Sequence, residues 1–171
     1  FPYTTLFRSA KTGMLRSAHM LGNEEEIIFA ATDLLADTKL APELSNEAHY
    51  YRAKAYLDAG KTDGAMEDLK VLAKDTRNVY GAEAKYKVAQ IYFDGGQTDK
   101  AEQEVLNYIE VSTPHTYWLA RSFVLLADVY MKLGRNLDAK QYLLSLKQNY
   151  QADDDIAGMI ESRLEKLKTE N

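Results

Sequence analysis

The sequence predicts an all-α fold made by stacking helix–turn–helix units into a solenoid that one further helix closes. Three observations lead there. Glycines recur at Gly22, Gly60, Gly96 and Gly134, spaced by 38, 36 and 38 residues. Around the last three, the same residue types stand in the same register. Ala53, Ala89 and Ala127 lie seven residues before the glycine, Tyr56, Tyr92 and Tyr130 four before, and Ala65, Ala101 and Ala139 five after. The composition, rich in Ala, Leu, Lys and Glu with only three prolines, favours helix along the whole chain.

The opening stretch FPYTTLFRS stands apart from the pattern. Tyr3, Thr4, Thr5, Leu6 and Phe7 favour extended structure. Back-translated as TTT CCC TAC ACG ACG CTC TTC CGA TCT, it resembles the tail of a DNA-sequencing adaptor. Residues 1–9 are therefore expected to be foreign to the natural protein, and residues from Ala10 onward to be the C-terminal part of a longer chain.

The repeats follow in order, near 10–40, 45–76, 81–112 and 114–150. Their helices are expected near 10–21 and 23–38, 45–59 and 62–75, 81–94 and 98–111, and 114–133 and 136–149. Each glycine supplies the left-handed residue that ends a helix. Asn23, with Glu26 three residues on, reads as an N-cap with a capping box, and Thr62, Thr98 and Asn136 read as N-caps of the later second helices. Thr113-Pro114 reads as an N-cap followed by proline in the first turn. The alanines allow two antiparallel helices to approach, and the tyrosines fill the space between them. Leu69, Val105 and Leu143, with Leu72, Tyr108 and Leu146, complete the buried register. A closing helix near 154–168 carries Ile156, Ile160, Leu164 and Leu167 on one face, and residues 169–171 form a polar tail. A single hairpin cannot bury its apolar face, so stacking supplies the core.

The small–Tyr–Gly–Ala series resembles the tetratricopeptide repeat family over Ala10 to Tyr150. The resemblance implies a right-handed superhelix of about four repeats. Some family features are replaced. Lys11, His49, Lys85 and Phe123 stand where the family has an early Trp, and Leu34, Leu72, Tyr108 and Leu146 where it has a late small residue. The period is also longer than the usual spacing of about 34 residues.

In that family the first helices line a groove that binds peptides. The corresponding positions are Tyr50, Lys54 and Leu57, then Tyr86, Gln90 and Phe93, then Val124, Asp128 and Met131, with Thr12, Arg16 and His19 as a weaker first set. Spacings of i, i+4 and i+7 put each trio on one helix face. The resemblance implies a noncatalytic scaffold that takes a protein or peptide partner and stacks on upstream repeats of the same chain. An alternative is packing of Tyr50, Tyr86 and Phe93 against neighbouring helices. The segments AKYKVAQIYFDGGQTDKAEQEVLNYIE and TPHTYWLARSFVLLADVYMKLGR are most similar to bacterial envelope members of the Tol-Pal-associated and outer-membrane-assembly types. That similarity implies a periplasmic or outer-membrane-associated setting. Self-association of the array, or service as a regulatory domain of an upstream enzyme, are rival roles.

Other chemistry finds little footing. With 21 Lys and Arg against 26 Asp and Glu, the net charge of −5 argues against general binding to a nucleic-acid backbone. The chain has no cysteine, which removes disulfides and thiol chemistry. No apolar run is long enough to span a bilayer. AYLDAGKT (55–62) ends like a phosphate-binding loop, but Ala55 occupies the place of the motif's first glycine and the context is helical. His19, His49 and His115 are far apart and read as surface or groove residues. Asp153, Asp154 and Asp155, like Glu24, Glu25 and Glu26, read as a helix cap and first turn opposing the dipole. Trp118 is expected to bury against the preceding helix pair. No cofactor, metal site or catalytic residue is expected.

Overall fold

The computed structural model describes residues 2–169. Phe1 of the expected foreign segment and residues 170–171 of the expected tail lie outside them. All the regular structure among the described residues is helical: α1 (Pro2–Leu21), α2 (Glu24–Leu35), α3 (Pro42–Asp58), α4 (Thr62–Leu72), α5 (Val79–Asp94), α6 (Thr98–Ile109), α7 (Thr116–Lys132), α8 (Asn136–Asn149) and α9 (Ile156–Thr169). The predicted all-α class holds. The largest departure is α1, which starts at Pro2 instead of near Ala10, so the opening stretch is helical and not extended. Arg8 supports that extension by bonding through Nε to Asp37 Oδ2 at 2.9 Å.

The chain divides into two compact units, residues 1–74 and 75–171. In the first, α1 packs on α2, α2 on α3 and α3 on α4. Its core joins Leu15, Ala18, Ile27, Ala30, Ala31 and Leu34 with Ala48 and Ala55. In the second, α7 packs against both helices of the α5–α6 hairpin, and α9 against both helices of the α7–α8 hairpin. This core runs from Tyr86 and Ala89 through Leu125, Leu126 and Leu143 to Ile156, Ile160, Leu164 and Leu167. The last four residues are the apolar stripe predicted for the closing helix.

The turn glycines do what the spacing required. Gly22, Gly60, Gly96 and Gly134 have φ of +66°, +71°, +74° and +73°, the left-handed region that favours glycine. Each closes its helix with a Schellman pair, in which the residue after the glycine donates across the turn. Lys61 N–H reaches Tyr56 O at 2.7 Å, Gln97 N–H reaches Tyr92 O at 2.8 Å, and Arg135 N–H reaches Tyr130 O at 2.8 Å. The recurring tyrosine thus supplies the carbonyl that the turn closes on. The alanines of the register are 0–1 % exposed, as close helix contact demands. Tyr56 lies against Gly64, where an added Cβ would meet its ring at 3.0 Å.

The capping expectations need correction. Thr62, Thr98 and Asn136 are the first helical residues, and Lys61, Gln97 and Arg135 hold the N-cap place without side-chain caps. The reason is economy of turn: the residue that ends the Schellman motif also accepts the first bond of the next helix through its own carbonyl. Ala65, Ala101 and Ala139 donate to Lys61 O, Gln97 O and Arg135 O at 3.2, 3.0 and 3.1 Å. Asn23 occupies the same slot, and its Oδ1 does accept from Glu26 N–H at 3.2 Å. The return half of that capping box cannot form with Asn23 N–H, which is already bonded to Ala18 O at 3.2 Å. At Thr113-Pro114 the helix starts two residues later than expected. Thr113 Oγ1 accepts from His115 N–H at 3.2 Å and donates to Thr76 O at 2.8 Å, pinning the loop to the preceding one. The acidic run before α9 lies just outside the first turn, where Asp154 Oδ1 accepts from Ile156 N–H at 3.0 Å.

Candidate functional site

The candidate positions of the second unit lie on α5 and α7, and α9 packs against α7. On α5, Asn78 caps the start by accepting from Gly81 N–H at 2.9 Å. Tyr86, Gln90 and Asp94 then form a ladder one turn apart: Tyr86 Oη donates to Gln90 Oε1 at 2.9 Å, and Gln90 Nε2 donates to Asp94 Oδ1 at 2.8 Å. Phe93 is half-buried beside this ladder, and the Lys132 ammonium from α7 sits 4.9 Å from its ring centre. Cation–π contact of this kind holds a lysine without neutralising it.

Tyr86 is not the open contact that its position implied. Its ring lies 5.6 Å from that of Trp118 and 5.1 Å from the Arg121 guanidinium, leaving 8 % exposed. Packing against a neighbouring helix, the alternative reading, is what occurs here. Trp118, on α7, is half-buried against Tyr86 of α5 in the hairpin before it. Arg121 also donates to Tyr117 Oη at 3.0 Å, Tyr86 Oη at 3.3 Å and Asp155 Oδ2 at 3.1 Å. The two tyrosines and one acid bracket the guanidinium between α5, α7 and the segment before α9.

Val124 is corrected more sharply: at 2 % exposure it belongs to the core. Met131 is half-buried against the same core. Asp128 is half-buried and held by both arms of Arg163 from α9, Nε to Oδ1 at 2.7 Å and Nη2 to Oδ2 at 2.6 Å. Such a bidentate pair consumes the carboxylate's strongest acceptor geometry. Tyr150, just before α9, donates to Asp154 Oδ2 at 2.6 Å, and burial together with that carboxylate pushes its phenol up to about 12. It stays neutral and acts as a donor. Sequence reasoning missed Arg121, Lys132 and Arg163. Arg121 lies one turn before Val124 on the same helix, a basic residue facing Tyr86 and Tyr117, and that was the available signal.

In the first unit, the Lys54 ammonium lies 5.6 Å from the ring centre of Tyr50, with Lys54 exposed and Tyr50 and Leu57 half-buried. These three do form one face of α3. The weaker first set is occupied internally. Thr12 Oγ1 donates to Arg8 O at 2.9 Å, Arg16 makes two 2.7 Å bonds to Glu47, and His19 stacks on Tyr51 at 3.9 Å. His49 is likewise structural: its Nδ1 pairs with buried Asp68 at 2.7 Å. Gly60 and Lys61 of the phosphate-loop look-alike form the α3–α4 turn described above.

Antiparallel helix hairpins, each turned at a left-handed glycine, define a helical-repeat module. Two of the hairpins match tetratricopeptide repeat models, over residues 47–75 and 120–148. These two hairpins are therefore similar to tetratricopeptide repeats, a class that generally mediates protein–protein interaction and is typically noncatalytic. Two solved structures from Podosopora anserina, assigned to the kinesin light chains and described as having nearly identical TPR-like repeats, share the fold. One, a point variant, has 16 % identity and a TM-score of 0.58, covering 94 % of this chain and 92 % of that one. The other has 16 % identity and a TM-score of 0.56, covering 94 % and 93 %. No curated protein sequence matches the chain.

Proposed function

We propose that this chain is a noncatalytic scaffold that binds a protein or peptide through the first helices of its repeats. The observation that carries the reading is the α5–α7 face, where Gln90, Phe93, Met131 and Lys132 combine a half-buried aromatic, a polar ladder and a lysine set over the aromatic ring. An extended peptide with an apolar anchor for Phe93 and a carboxylate for Lys132 suits that face, since a few anchors carry most binding energy. On α3, Tyr50, Lys54 and Leu57 offer a second patch of the same chemistry. Gln90 holds register through its amide, whereas Tyr86 and Val124 support the face from beneath and Asp128 fastens α9.

Selection from a displayed peptide library tests this. Peptides recovered on the intact chain are expected to lose at least about tenfold in affinity against the Phe93→Ala or Lys132→Ala variants. Selected peptides that bind both variants as well as the parent chain would refute the assignment.

The envelope setting rests on the sequence similarity of residues 84–110 and 113–135 alone. No helix among the described residues is long and apolar enough to cross a membrane. Reading the coding sequence upstream of Ala10 tests this setting and the expected upstream repeats together. A secretory signal followed by further repeats supports them, and a catalytic domain there replaces the scaffold reading with a regulatory one.

A further inference from the structure

Helix α8 carries an open stripe that its own repeat does not call for. Leu137, Lys140, Leu144 and Lys147 follow one another at steps of three, four and three residues, the spacing at which one helix presents a seam to another. Leu137 is 70 % exposed and Leu144 46 %, and both lysines lie open. The other second helices differ at these places. Aligned on the turn glycines, the position of Leu137 holds Glu25 in α2, Asp63 in α4 and Asp99 in α6, first-turn acids that suit a helix N-terminus. The position of Lys140 holds Ile28, Met66 and Glu102, and that of Lys147 holds Leu35, Ala73 and Ile109. Those counterparts are used inside the repeat: Ile28 and Leu35 pack on the first core, Ile109 packs on the second, and Glu102 binds Arg135 at 3.0 Å. Stacking therefore accounts for them and not for the stripe on α8.

Beside the stripe, α8 and α9 enclose a cleft of about 260 Å³. Leu144, Leu164 and Leu167 supply its apolar lining, and Lys140, Lys147 and Lys168 set three ammonium groups against the one carboxylate of Glu161. In a chain of net charge −5 this is a local reversal of sign. Lys147 pairs with Glu161 and Lys168 with Glu165, but all four side chains are more than half exposed. Pairs so open to water hold weakly and exchange for another carboxylate. Lys140 has no acid partner among the described residues.

The geometry points to a second docking surface here, for an acidic amphipathic helix of a partner protein. An apolar side chain of that helix seats in the cleft on Leu144, and Leu137 takes another. Carboxylates about one turn to either side of the seated residue meet Lys140 and Lys147, which stand roughly 10 Å apart along α8. The cleft is smaller than the roughly 300–1,000 Å³ of sites that enclose a free small molecule, so it fits a side chain and not a cofactor. A nucleic-acid strand or an anionic bilayer would press negative charge on Glu161 and Glu165 as well as on the lysines. A helix that places its acids one by one avoids them. The surface shares no residue with the α5–α7 face and stands whether or not that face binds peptides.

Selection of helix-forming displayed peptides on the full chain carrying Phe93→Ala and Lys132→Ala tests this surface with the α5–α7 face disabled. Recovered peptides are expected to be acidic, with a leucine-like residue between two acids. Lys140→Glu should weaken their binding at least about tenfold, and added salt should weaken it too. Exchanging the peptide acid that meets Lys140 for lysine should restore binding to the Lys140→Glu variant. Leu137→Asp, which installs the residue found at that place in α4 and α6, should cause a similar loss, and it serves if Lys140→Glu alters the circular dichroism. An empty selection overturns the inference, as do recovered peptides that bind the folded Lys140→Glu and Leu137→Asp variants like the parent. Co-sedimentation with vesicles of phosphatidylserine and phosphatidylcholine that Lys140→Glu abolishes would also overturn it, by assigning the stripe to a membrane surface.

Discussion

Asp68 offers the most demanding test of how the first unit is held. It lies on α4 at 1 % exposure, yet it carries charge. Arg52 of α3 donates to it from Nε at 2.8 Å and Nη2 at 2.7 Å, and His49 Nδ1 lies 2.7 Å away. Arg52 Nη1 continues to Thr32 Oγ1 of α2 at 2.9 Å, so one carboxylate ties three helices. Asp68→Ala removes the acceptor and leaves a guanidinium that is only 19 % exposed. Breaking a buried pair from one side costs about 3–5 kcal/mol. Arg52 retains some access to water, which places the expected loss near the lower limit, about 3 kcal/mol at neutral pH. The pH dependence has a defined sign. Burial alone would raise the Asp68 carboxyl, but the hydrogen bonds from Arg52 and His49 outweigh it and hold the group below its ordinary value. A depressed folded pKa means stability that is present above the unfolded carboxylate value of about 3.9 and lost as pH falls through the folded one. Urea unfolding followed by circular dichroism should therefore show a gap between parent and Asp68→Ala that is widest near neutrality. Below about pH 4 the gap should shrink as the parent's carboxylate takes up a proton. The Arg52→Met/Asp68→Leu pair should cost much less than the sum of the single changes. A neutral-pH loss below about 1 kcal/mol, or a gap unchanged in acid, would show that the network does not hold these helices.

The remaining expectations concern the repeat register and the closing helix. Ala101→Leu, at a site with 0 % exposure between α6 and its neighbours, should overpack the contact and cost roughly 1–3 kcal/mol by thermal unfolding. Leu143→Ala, also at 0 % exposure, should leave a cavity worth roughly 2–5 kcal/mol. Indifference to both changes would mean that the register is wrong. Gly96→Ala meets no atom within 4 Å, so its expected cost of about 1–2 kcal/mol is purely that of a left-handed backbone at φ +74°. Urea unfolding should show this cost with no change in slope. Arg163→Met should free Asp128 and increase hydrogen exchange in α9 before α5 or α6. Equal exchange throughout would show that the pair does not fasten the helix.

The sequence by itself determined the hairpins. Glycine at fixed intervals, with alanine and tyrosine at fixed offsets, expresses local requirements: a left-handed residue to end a helix, and small residues where two helices touch. Those requirements act within about one turn or across one hairpin, so they can be read along the chain. The buried places of Leu69, Val105, Leu143 and the α9 stripe followed from the same periodicity. The surroundings of the candidate residues were only partly legible. Position on a helix face made Gln90, Phe93, Lys54 and Met131 candidates, as it did Tyr86, Val124 and Asp128, but it could not distinguish an open side chain from one covered by another hairpin. Tyr86 is covered by Trp118 and Arg121, more than thirty residues away, and Asp128 is claimed by Arg163 at a separation of 35. The N-cap slot also shifted by one residue, because a turn residue served two helices at once. Side chains brought together by stacking compete for the same partners, and only the tertiary structure decides which of them is left facing outward.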